Sequence, residues 1–464
     1  MTSRELESRL RHRTARHPLL RGVRDSCRLT GGDVWVVGGF VRDAALGRHS
    51  DEVDLVGGRG TARLVAHLQK LWGTRGHRFR KRNVTTWRFV VGDDRLDLVD
   101  ASRRGLEADL RRRELTLNAI AFDPLESRIV DPLRGLADLR AGRLRTPRPG
   151  VMREDPLRAL RAARFLAQLP DFRLLPDARR QARAVGKALR RVAVERVAEE
   201  LDKLLRAEAP RRGLEALVRL DLLTAVLPEL EPLRHCVAGQ QRPDVWRHTL
   251  DAIGCSATPR GLPAAAVVRD PAARGLLRWA LLLHDISKPE TLEFRPGGRP
   301  AFHGHEVLGS RRADALLRRL RFPAARRKRI CRLVELHLRP SHLADAGATP
   351  RGLRRLARDA GEDLAVLVLH AACDARASGG PDAPQRWRRL GRVLRALLET
   401  GESRRRSPLP RLLDGRDVMR LLALEEGPAV GRILDRLRDA QEEGTVGSRR
   451  EALEWLQLQI RGRD

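Results

Sequence analysis

The chain has little aromatic character and no long apolar segment. Its 464 residues include no tyrosine, and aromatic residues make up only 3% of the sequence. Stacking platforms like those of sequence-reading single-strand binders are therefore scarce, so contacts with a nucleic acid would rest mainly on backbone electrostatics. No apolar stretch reaches the roughly 18 residues that a membrane span requires, and the polar N-terminal segment lacks the hydrophobic region of a signal peptide. These absences predict a protein that is neither membrane-spanning nor exported.

Cysteine is scarce as well, and its spacing is uninformative for metal binding. The chain has five cysteines, an odd number, and none lies in a CxxC pair: Cys27, Cys236, Cys255, Cys331 and Cys373. This usage favours a reduced, cytoplasmic location.

Positive charge is abundant. Lysine and arginine number 92 against 60 acidic residues, which gives a formal net charge of +32, and the excess runs along the whole chain instead of forming a tail. Such a balance points to a polyanionic partner, with a nucleic acid as the main candidate. A GC-rich genome also inflates arginine, so the charge informs about affinity and not about chemistry.

Periodicity divides the chain into a mixed part and a helical part. Residues from about 30 to 130 alternate short β-branched runs with helical intervals, whereas amphipathic helical patterns dominate beyond about 150. The fold class is therefore predicted as α+β, with a small α/β head followed by an elongated all-α body. Clusters of proline and glycine favour four segments: a head at 1–145, a neck at 146–240, a second helical domain at 241–385 and a tail at 386–464.

A glycine pair and a compact acidic cluster lie early in the chain. Gly38 and Gly39 follow the apolar run VWVV and precede a predicted helix, where the backbone can approach a phosphate closely. The alternative is a simple tight turn. Glu52 and Asp54 lie two residues apart on a predicted strand, so both carboxylates project from one face.

Like charges on one strand face repel each other unless a cation lies between them. Asp97, in the apolar run RLDLVD, is a third acid on a predicted strand. Three carboxylates with room for phosphate oxygens and water suit Mg²⁺, and two such ions can bind the attacking and leaving oxygens of a phosphoryl transfer. The alternative is that these acids pair with the surrounding arginines.

Five motifs in fixed order strengthen the catalytic interpretation: VGGFVRDAALGR, the acid-x-Asp that follows it, DLRRRELTLNAIAFD, RIVDPLRGLADL and REDPLRALRAARF. Together they resemble the class II tRNA nucleotidyltransferases and the bacterial poly(A) polymerases. The resemblance implies a nucleotidyltransferase-type head with a mixed sheet. It also implies Mg²⁺-dependent, template-independent addition to an RNA 3′ end. CCA, or part of it, would be added to tRNA from CTP and ATP with release of pyrophosphate.

The resemblance also assigns roles by position. The triphosphate would be bound by Gly39 and Arg42, and Gly38 and Asp43 would also belong to the nucleotide-binding residues. The metal-binding carboxylates would be Glu52 and Asp54, with Asp97 as the third acid. Nucleotide contact and site support would come from Arg113 and Asn118. Hydrogen bonds to the incoming base would come from Asp155 and Arg158, with Arg161 and Arg164 near phosphate and RNA. A carboxylate beside a guanidinium can match the Watson–Crick edge of cytosine or adenine, and at i, i+3 and i+6 of one helix Asp155, Arg158 and Arg161 would share a face.

Two positions depart from the family pattern. Glu52 and Glu114 stand where the family has aspartate. Glutamate keeps the charge but moves it by one methylene, which affects Mg²⁺ because that ion demands near-octahedral geometry. Asp51, one residue earlier, would project from the opposite strand face and is a poor substitute.

Histidine and aspartate recur in the second helical domain in a pattern that resembles the HD phosphohydrolase superfamily. The resemblance assigns His248, His284, Asp285 and Asp374 as ligands of a divalent metal, and His303, His305 and His337 as second-centre or substrate contacts. Ser287 stands where glycine is common. The site would either remove 3′ or cyclic phosphates from RNA ends or persist as a scaffold.

Several alternatives stay open at the level of sequence. A poly(A) polymerase shares these motifs, a metal-dependent phosphohydrolase could use the head only to bind RNA, and a non-enzymatic RNA-binding protein is a third option. The tail helices at 412–456 would either bind the acceptor and T arms of tRNA through phosphate contacts or cap the preceding core.

Overall fold

The computed structural model describes residues 2–50, 52–81, 84–92, 94–236, 244–379, 382–406 and 410–461. Asp51 and most of the predicted linker at 240–244 lie outside these ranges. The chain forms two compact units, residues 1–226 and 227–464. The first holds the predicted head together with most of the neck, and the finer division into four segments stays a prediction.

The head is a seven-stranded mixed sheet flanked by helices. Its strands are β1 (Val34–Val37), β2 (Glu52–Gly57), β3 (His77–Lys81), β4 (Val84–Val91), β5 (Asp94–Asp100), β6 (Ala121–Asp123) and β7 (Arg128–Val130), in the order β3-β4-β5-β2-β1-β6-β7. Its helices are α1 (Ser3–Arg16), α2 (Pro18–Thr30), α3 (Gly39–Ala45), α4 (Thr61–Trp72), α5 (Gly105–Arg111) and α6 (Gly135–Arg140). Only β2 and β5 pair in parallel, while the other neighbours are antiparallel. This confirms the predicted α/β head with a mixed sheet.

Alternation along β2 decides which side chains face the core. Val53 and Leu55 are buried, whereas Glu52 is exposed and Asp54 is half-buried on the other face. The parallel register places Asp54 directly opposite Asp97 on β5. Two of the three predicted acids therefore lie side by side on the sheet.

The neck is a helical layer within the same unit. Its helices are α7 (Val151–Glu154), α8 (Leu157–Gln168), α9 (Pro176–Ala184), α10 (Val194–Arg206), α11 (Pro210–Arg219) and α12 (Leu223–Val226). Helix α8 packs against both α10 and α11. At Gly213 on α11 a Cβ atom would lie 2.7 Å from Leu204 Cγ and 2.9 Å from Ala167 Cβ, so only glycine permits this close approach.

The second unit is also helical. It contains α13 (Val245–Ala257), α14 (Pro271–Leu283), α15 (His305–Arg319), α16 (Ala324–Leu336), α17 (Arg339–Ala346), α18 (Pro350–Ala360), α19 (Leu364–Ala377), α20 (Ala383–Arg406), α21 (Gly415–Leu422), α22 (Pro428–Glu442) and α23 (Arg449–Arg461). Among the described residues, no helix combines the length and apolar character that would let it cross a bilayer.

The helical body is confirmed with one correction, because it also contains short strands that the periodicity did not predict. In the first unit β8 (Arg143–Leu144) pairs with β9 (Arg173–Leu174), and in the second β10 (Leu292–Arg295) pairs with β11 (Arg299–Phe302). Gly297 and Gly298, both with positive φ, make the turn between β10 and β11. The flanking Arg-Pro-Gly-Gly run cannot continue a helix, so a hairpin forms there.

The tail has its own apolar core and is joined to α18 by ion pairs. Val418, Leu437 and Leu456 belong to this core. Asp439 and Glu442 of α22 have side chains that are only 10% and 5% exposed. Arginines of α18 and α20 surround these two carboxylates: Arg351, Arg354, Arg358 and Arg404. The acidic face of α22 is therefore paired within the second unit.

Replacing Arg358 by alanine tests this ion-pair network. Arg358 lies 2.8 Å from Asp439 and 3.4 Å from Glu442, and its loss leaves two buried carboxylates under-compensated. We expect R358A to lower the free energy of unfolding by about 2 kcal/mol in urea titrations. The exposed Arg355 on the same helix provides the control, and R355A should change stability by less than about 0.5 kcal/mol. Equal stability of the two variants would contradict the role of the network.

Candidate functional site

The glycine turn after β1 packs directly on the acidic cluster. Gly38 has φ +73°, and a Cβ atom there would lie 3.0 Å from Asp54 Oδ2 and 3.0 Å from Arg113 Nη1. Arg113 is in turn held by the fully buried Asp109, 3.2 Å from its Nη2. The turn, the acid and the arginine that the sequence predicted therefore lie together, whereas Asp109 was not predicted.

Asp54 is short of compensating positive charge. Burial raises the pKa of Asp54, Arg113 lowers it, and the negative charges of Asp97, Glu52 and Glu114 raise it further, so that the net shift is upward. A half-buried carboxylate next to other acids is stabilised by a cation. This charge balance fits a divalent metal at Asp54.

Asp97 is instead compensated by arginine. Arg88 on β4 donates two hydrogen bonds of 2.8 Å to its carboxylate, and Arg95 donates a third at 3.1 Å. Burial raises the pKa of Asp97, but these two arginines outweigh burial and the net shift is downward. Pairing with arginine, the alternative that the sequence left open, therefore holds for Asp97.

Groups of at least three histidine, cysteine or acidic residues with ligand atoms within 4.8 Å of one another occur at two places among the described residues. Both lie in the second unit. Glu52, Asp54 and Asp97 do not form such a group, so the three-acid metal site of the head stays a prediction.

A cavity of about 930 Å³ adjoins Asp54 and Asp97. Its lining is rich in arginine, with eight guanidinium groups and four carboxylates. The lining residues are Asp54, Phe79, Val84, Thr86, Arg88, Asp97, Val99, Arg104, Arg112, Arg113, Arg148, Glu154, Asp155, Arg158, Arg161 and Arg196. The cavity therefore joins the acids of the sheet to the arginines at the start of α8, and its size and charge suit a nucleoside triphosphate.

Sequence reasoning found six of these residues and missed most of the arginines. The six are Asp54, Asp97, Arg113, Asp155, Arg158 and Arg161. Arg112 was visible in the RRRE run, but Arg88, Arg104, Arg148 and Arg196 carry no local signal in so arginine-rich a chain. Arg42 and Asp43 lie instead in a neighbouring pocket of about 180 Å³ beside Phe165.

The prediction that Asp155 shares a helix face with Arg158 and Arg161 is wrong. Helix α8 begins at Leu157, and Asp155 precedes it in extended conformation, with φ −142° and ψ 98°. The cause is Pro156, because the residue before a proline is disfavoured in the helical region. Asp155 nevertheless lines the same cavity, where Arg196 Nη2 donates to its Oδ2 at 2.9 Å.

Glu114 links the head to α8. Its Oε1 accepts a hydrogen bond from Asn118 Nδ2 at 2.8 Å and lies 3.8 Å from Arg161 Nη1. Asn118 Oδ1 in turn accepts a hydrogen bond of 2.8 Å from Arg42. Burial raises the pKa of Glu114, but the charge of Arg161, a backbone hydrogen bond, the charge of Arg113 and the hydrogen bond from Asn118 together outweigh burial and lower the pKa to about 2.

Arg161 and Arg164 are held in place by a second acid. Glu200 on α10 is buried, and its carboxylate lies 2.9 Å from Arg161 Nε and 3.3 Å from Arg164 Nε. These two arginines are therefore components of an internal network, and of the two only Arg161 lines the large cavity.

The low pKa of Glu114 gives a pH-dependent prediction. Its folded-state pKa lies below the ordinary 4.5, so the charged carboxylate stabilises the fold above pH 4.5, and this contribution is lost as pH falls towards 2. We expect E114Q to be about 3 kcal/mol less stable than the unmodified protein at pH 6, with the difference shrinking at lower pH. Denaturant titrations between pH 6 and 3 measure this change.

The control for E114Q is E107Q, since Glu107 forms an exposed ion pair with Arg111. It should cost less than about 1 kcal/mol at every pH. A pH-independent difference between E114Q and the unmodified protein would show that the Glu114 charge does not stabilise the fold.

The second unit gathers the predicted HD residues into one cluster. His248 Nε2 lies 2.9 Å from Asp374 Oδ1, and His284 Nε2 lies 3.1 Å from Asp285 Oδ2. The two histidine Nε2 atoms are 3.3 Å apart. His248 comes from α13, Asp374 from α19, and His284 and Asp285 from the end of α14, so tertiary packing assembles the cluster.

Two groups in this cluster could each hold a metal ion, and they share Asp285. The first contains His248 and His284, and the second contains His305 and His337. His284, His305 and His337 each place Nδ1 within 2.8 Å of a backbone carbonyl oxygen. A carbonyl can only accept, so Nδ1 carries a proton, and Nε2 is the ring nitrogen that is left to bind a metal when the imidazole is neutral.

The chemistry of these donors fits a cation. His305 Nε2, His337 Nε2 and Asp285 Oδ1 are buried and have no hydrogen-bond partner among the described residues. As neutral ligands these imidazoles would direct lone pairs at the carboxylate, an arrangement that a bound cation stabilises. Burial opposes ionisation of Asp285, but His284 and Lys288 outweigh burial and hold the pKa of Asp285 well below its usual value.

The structure adds residues to this site. His370, which was not predicted, is fully buried, and its ring centroid lies 5.5 Å from that of His284. Lys288 Nζ lies 2.7 Å from Asp285 Oδ2 and was also missed. His303 is exposed and hydrogen-bonded to Arg295. It belongs to neither of the two groups that could hold a metal ion, which are called metal-type groups below.

Ser287 has a positional role. Its Oγ donates a hydrogen bond of 2.7 Å to the backbone oxygen of His305. The departure from glycine therefore ties the HD segment to the start of α15.

The chain resembles known proteins over nearly its full length. It is 37% identical to the A-adding tRNA nucleotidyltransferase of Deinococcus radiodurans, with 91% of this chain and 94% of the relative covered. It is 35% identical to the CC-adding tRNA nucleotidyltransferase of Thermus thermophilus, with 93% and 95% covered. The chain belongs to the family of tRNA nucleotidyltransferases. The rival reading of a non-enzymatic RNA-binding protein is thereby set aside.

Domain profiles and solved structures agree with this family. The profile of the Poly A polymerase head domain matches residues 34–145, that of the probable RNA and SrmB-binding site of polymerase A matches 171–233, and that of the HD domain matches 259–375. The fold resembles the Thermotoga maritima CCA-adding enzyme complexed with tRNA, with a TM-score of 0.61, 17% identity and 98% of both chains covered. It also resembles the Bacillus stearothermophilus CCA-adding enzyme in complex with CTP, with a TM-score of 0.59, 22% identity, and 96% and 99% covered.

Metal content tests the HD cluster of this nucleotidyltransferase directly. Because Asp285 belongs to both metal-type groups, we expect D285N to lose at least half of the divalent metal that the unmodified protein retains after dialysis against Mn²⁺. Elemental analysis by mass spectrometry measures the retained metal. The control is D435N, which changes an exposed acid on α22 away from the cluster. Equal metal content in all three proteins would contradict a metal centre at Asp285.

Proposed function

We propose that this enzyme adds CCA, or part of it, to the 3′ end of tRNA without a template, using CTP and ATP and releasing pyrophosphate. The observation that carries the proposal is the large cavity in which Asp54 and Asp97 face Arg113, Arg158 and Arg161. Phosphoryl transfer depends mainly on positioning and on neutralising charge, and this cavity supplies both. The Deinococcus and Thermus relatives are named as enzymes that add nucleotides to tRNA, which supports this activity over the synthesis of poly(A) tails.

Different side chains of the cavity would bind the triphosphate and the base of the nucleotide. Guanidinium groups, with Arg113 next to the glycine turn, would bind the triphosphate and stabilise the negative charge that develops on it. Asp155 and Arg158 offer an acceptor and a donor for the edge of the incoming base. Arg196 orients the Asp155 carboxylate, so the acceptor is positioned before the nucleotide binds.

Mg²⁺ would be held by Glu52 and Asp54, with Asp97 as the third acid. When bound, it supplies charge neutralisation and lowers the pKa of a coordinated hydroxyl. Asp54 is best suited to this role because its carboxylate lies against the glycine turn and is compensated mainly by Arg113. Asp97 would need to exchange a contact with Arg88 or Arg95, and Glu52 is an exposed ligand at the strand start.

The tail would contact tRNA phosphates through exposed arginines. The described tail helices expose Arg416, Arg420, Arg432, Arg436 and Arg450. Asp439 and Glu442 are engaged with α18 and α20. The tail also exposes six acids, so its contacts with phosphates would rest on particular arginines and not on a uniformly basic surface: Glu425, Glu426, Asp435, Glu443, Glu451 and Glu454. A cytoplasmic location, where tRNA is processed, forms part of this proposal.

Incorporation assays on shortened tRNAs test the main proposal. Three tRNAs ending before the first C, after the first C and after the second C are incubated with Mg²⁺ and labelled CTP or ATP. We expect one to three added nucleotides on at least one of them. D54N should lower incorporation by more than about 100-fold, whereas D100N, on the opposite face of β5, should retain it. A long A tract would favour a poly(A) polymerase, and full activity of D54N would overturn the assigned site.

A second activity is favoured by the histidine–aspartate cluster. We propose that it is a metal-dependent phosphohydrolase that removes phosphate from RNA 3′ ends. The two metal-type groups that share Asp285, and the unpartnered Nε2 atoms that face it, support this assignment. Release of phosphate from a 3′-phosphorylated tRNA should be lost in H284A but kept in D54N, while nucleotide addition should show the reverse. Loss of both activities in both variants would contradict two independent sites.

A further inference from the structure

A cavity of about 280 Å³ adjoins the histidine–aspartate cluster and extends beyond it. One part of its lining consists of His248, Asp285 and Asp374, with Lys288 beside them. The rest is contributed by α17, the end of α19 and the start of α20. From Asp374 to Ser378 the lining follows one turn of α19, so it reaches about 6 Å away from the metal-type ligands.

The part of the lining contributed by α20 has the chemistry of a nucleobase site. Trp387 is half-buried and lines the cavity together with Leu390, and Ser341 of α17 contributes a hydroxyl. Arg386 lines it as well, and its Nη2 donates a hydrogen bond of 2.7 Å to the Gly379 carbonyl. This bond holds the first turn of α20 against the end of α19 and thereby positions the neighbouring indole.

Two further observations limit the occupant. The volume is at the lower end of the range for small-molecule sites, which suits one nucleoside and excludes a duplex. Arg386 and Trp387 also lie outside residues 259–375, the part that matches the HD domain profile. The profile therefore does not include them, and they were predicted only as the start of a tail.

We propose that this cavity binds the terminal nucleoside of an RNA 3′ end, with the base against Trp387 and the 3′ or 2′,3′-cyclic phosphate towards His248, Asp285 and Lys288. The inference deepens the proposed phosphohydrolase activity and rests on it for the phosphate half. Stacking on an indole is tolerant of base identity, because every base offers a π-face. The site therefore selects a nucleoside phosphate over other phosphate esters without reading its sequence, and a mononucleotide is a sufficient substrate.

The test combines a binding and a kinetic readout on the full chain loaded with Mn²⁺. Binding of adenosine and of inorganic phosphate is measured by calorimetry, and hydrolysis of adenosine 2′,3′-cyclic phosphate is measured alongside. We expect W387A to weaken adenosine binding about tenfold and to raise KM by a similar factor with kcat within about twofold. Phosphate binding should not change. W387F, which keeps a ring, should stay within about threefold of the unmodified protein in both readouts.

The control variant is R388A, which changes an exposed residue on the same turn of α20. Retained metal and an unchanged thermal midpoint confirm that each variant is folded. Adenosine binding by W387A at the level of the unmodified protein would overturn the inference, even if hydrolysis continues. Adenosine binding that depends on Trp387, without any hydrolysis, would support the inference and reject the phosphohydrolase activity.

Discussion

The parallel pairing of β2 with β5 places two carboxylates side by side on one sheet, where their negative charges repel each other. Arginines of the head surround this pair. Asp54 and Asp97 face each other across the register, with Glu52 two residues away. Such a group is stable only if positive charge surrounds it. Asp97 receives this charge from two arginines, while Asp54 has mainly Arg113 and is the position that most needs a cation.

In the second unit, neighbouring carboxylates are compensated by different side chains. Asp285 and Asp374 are surrounded by histidines and Lys288, and backbone carbonyls orient the imidazoles of His284, His305 and His337. Histidine can be a neutral ligand, whereas arginine cannot. A histidine-rich site therefore favours a bound metal, while the arginine-rich cavity of the head favours polyphosphate.

Many of the arginines have structural roles. The network from Arg42 through Asn118 and Glu114 to Arg161 connects the sheet to α8, and Arg358 joins α18 to the tail. This network accommodates glutamate at position 114, where the family has aspartate. The longer side chain accepts a hydrogen bond from Asn118 and lies close to Arg161. Each arginine paired with an acid adds nothing to the net charge, so the net charge of +32 is carried by the basic residues that exceed the acids in number.

The order of strands and helices could be predicted from local sequence patterns. Periodicity predicted the mixed head and the helical body, and motif spacing predicted Asp54, Arg113, His284 and Asp285, because these signals depend on neighbours within a few residues. The pairing of Arg88 with Asp97 depends on strand register. The contacts of His370 with His284 and His337, and the position of Trp387 in the cavity beside Asp285, depend on packing between distant helices. These contacts are decided by the tertiary structure alone, because strand register and helix packing position the side chains. No local sequence pattern predicts the register or the packing.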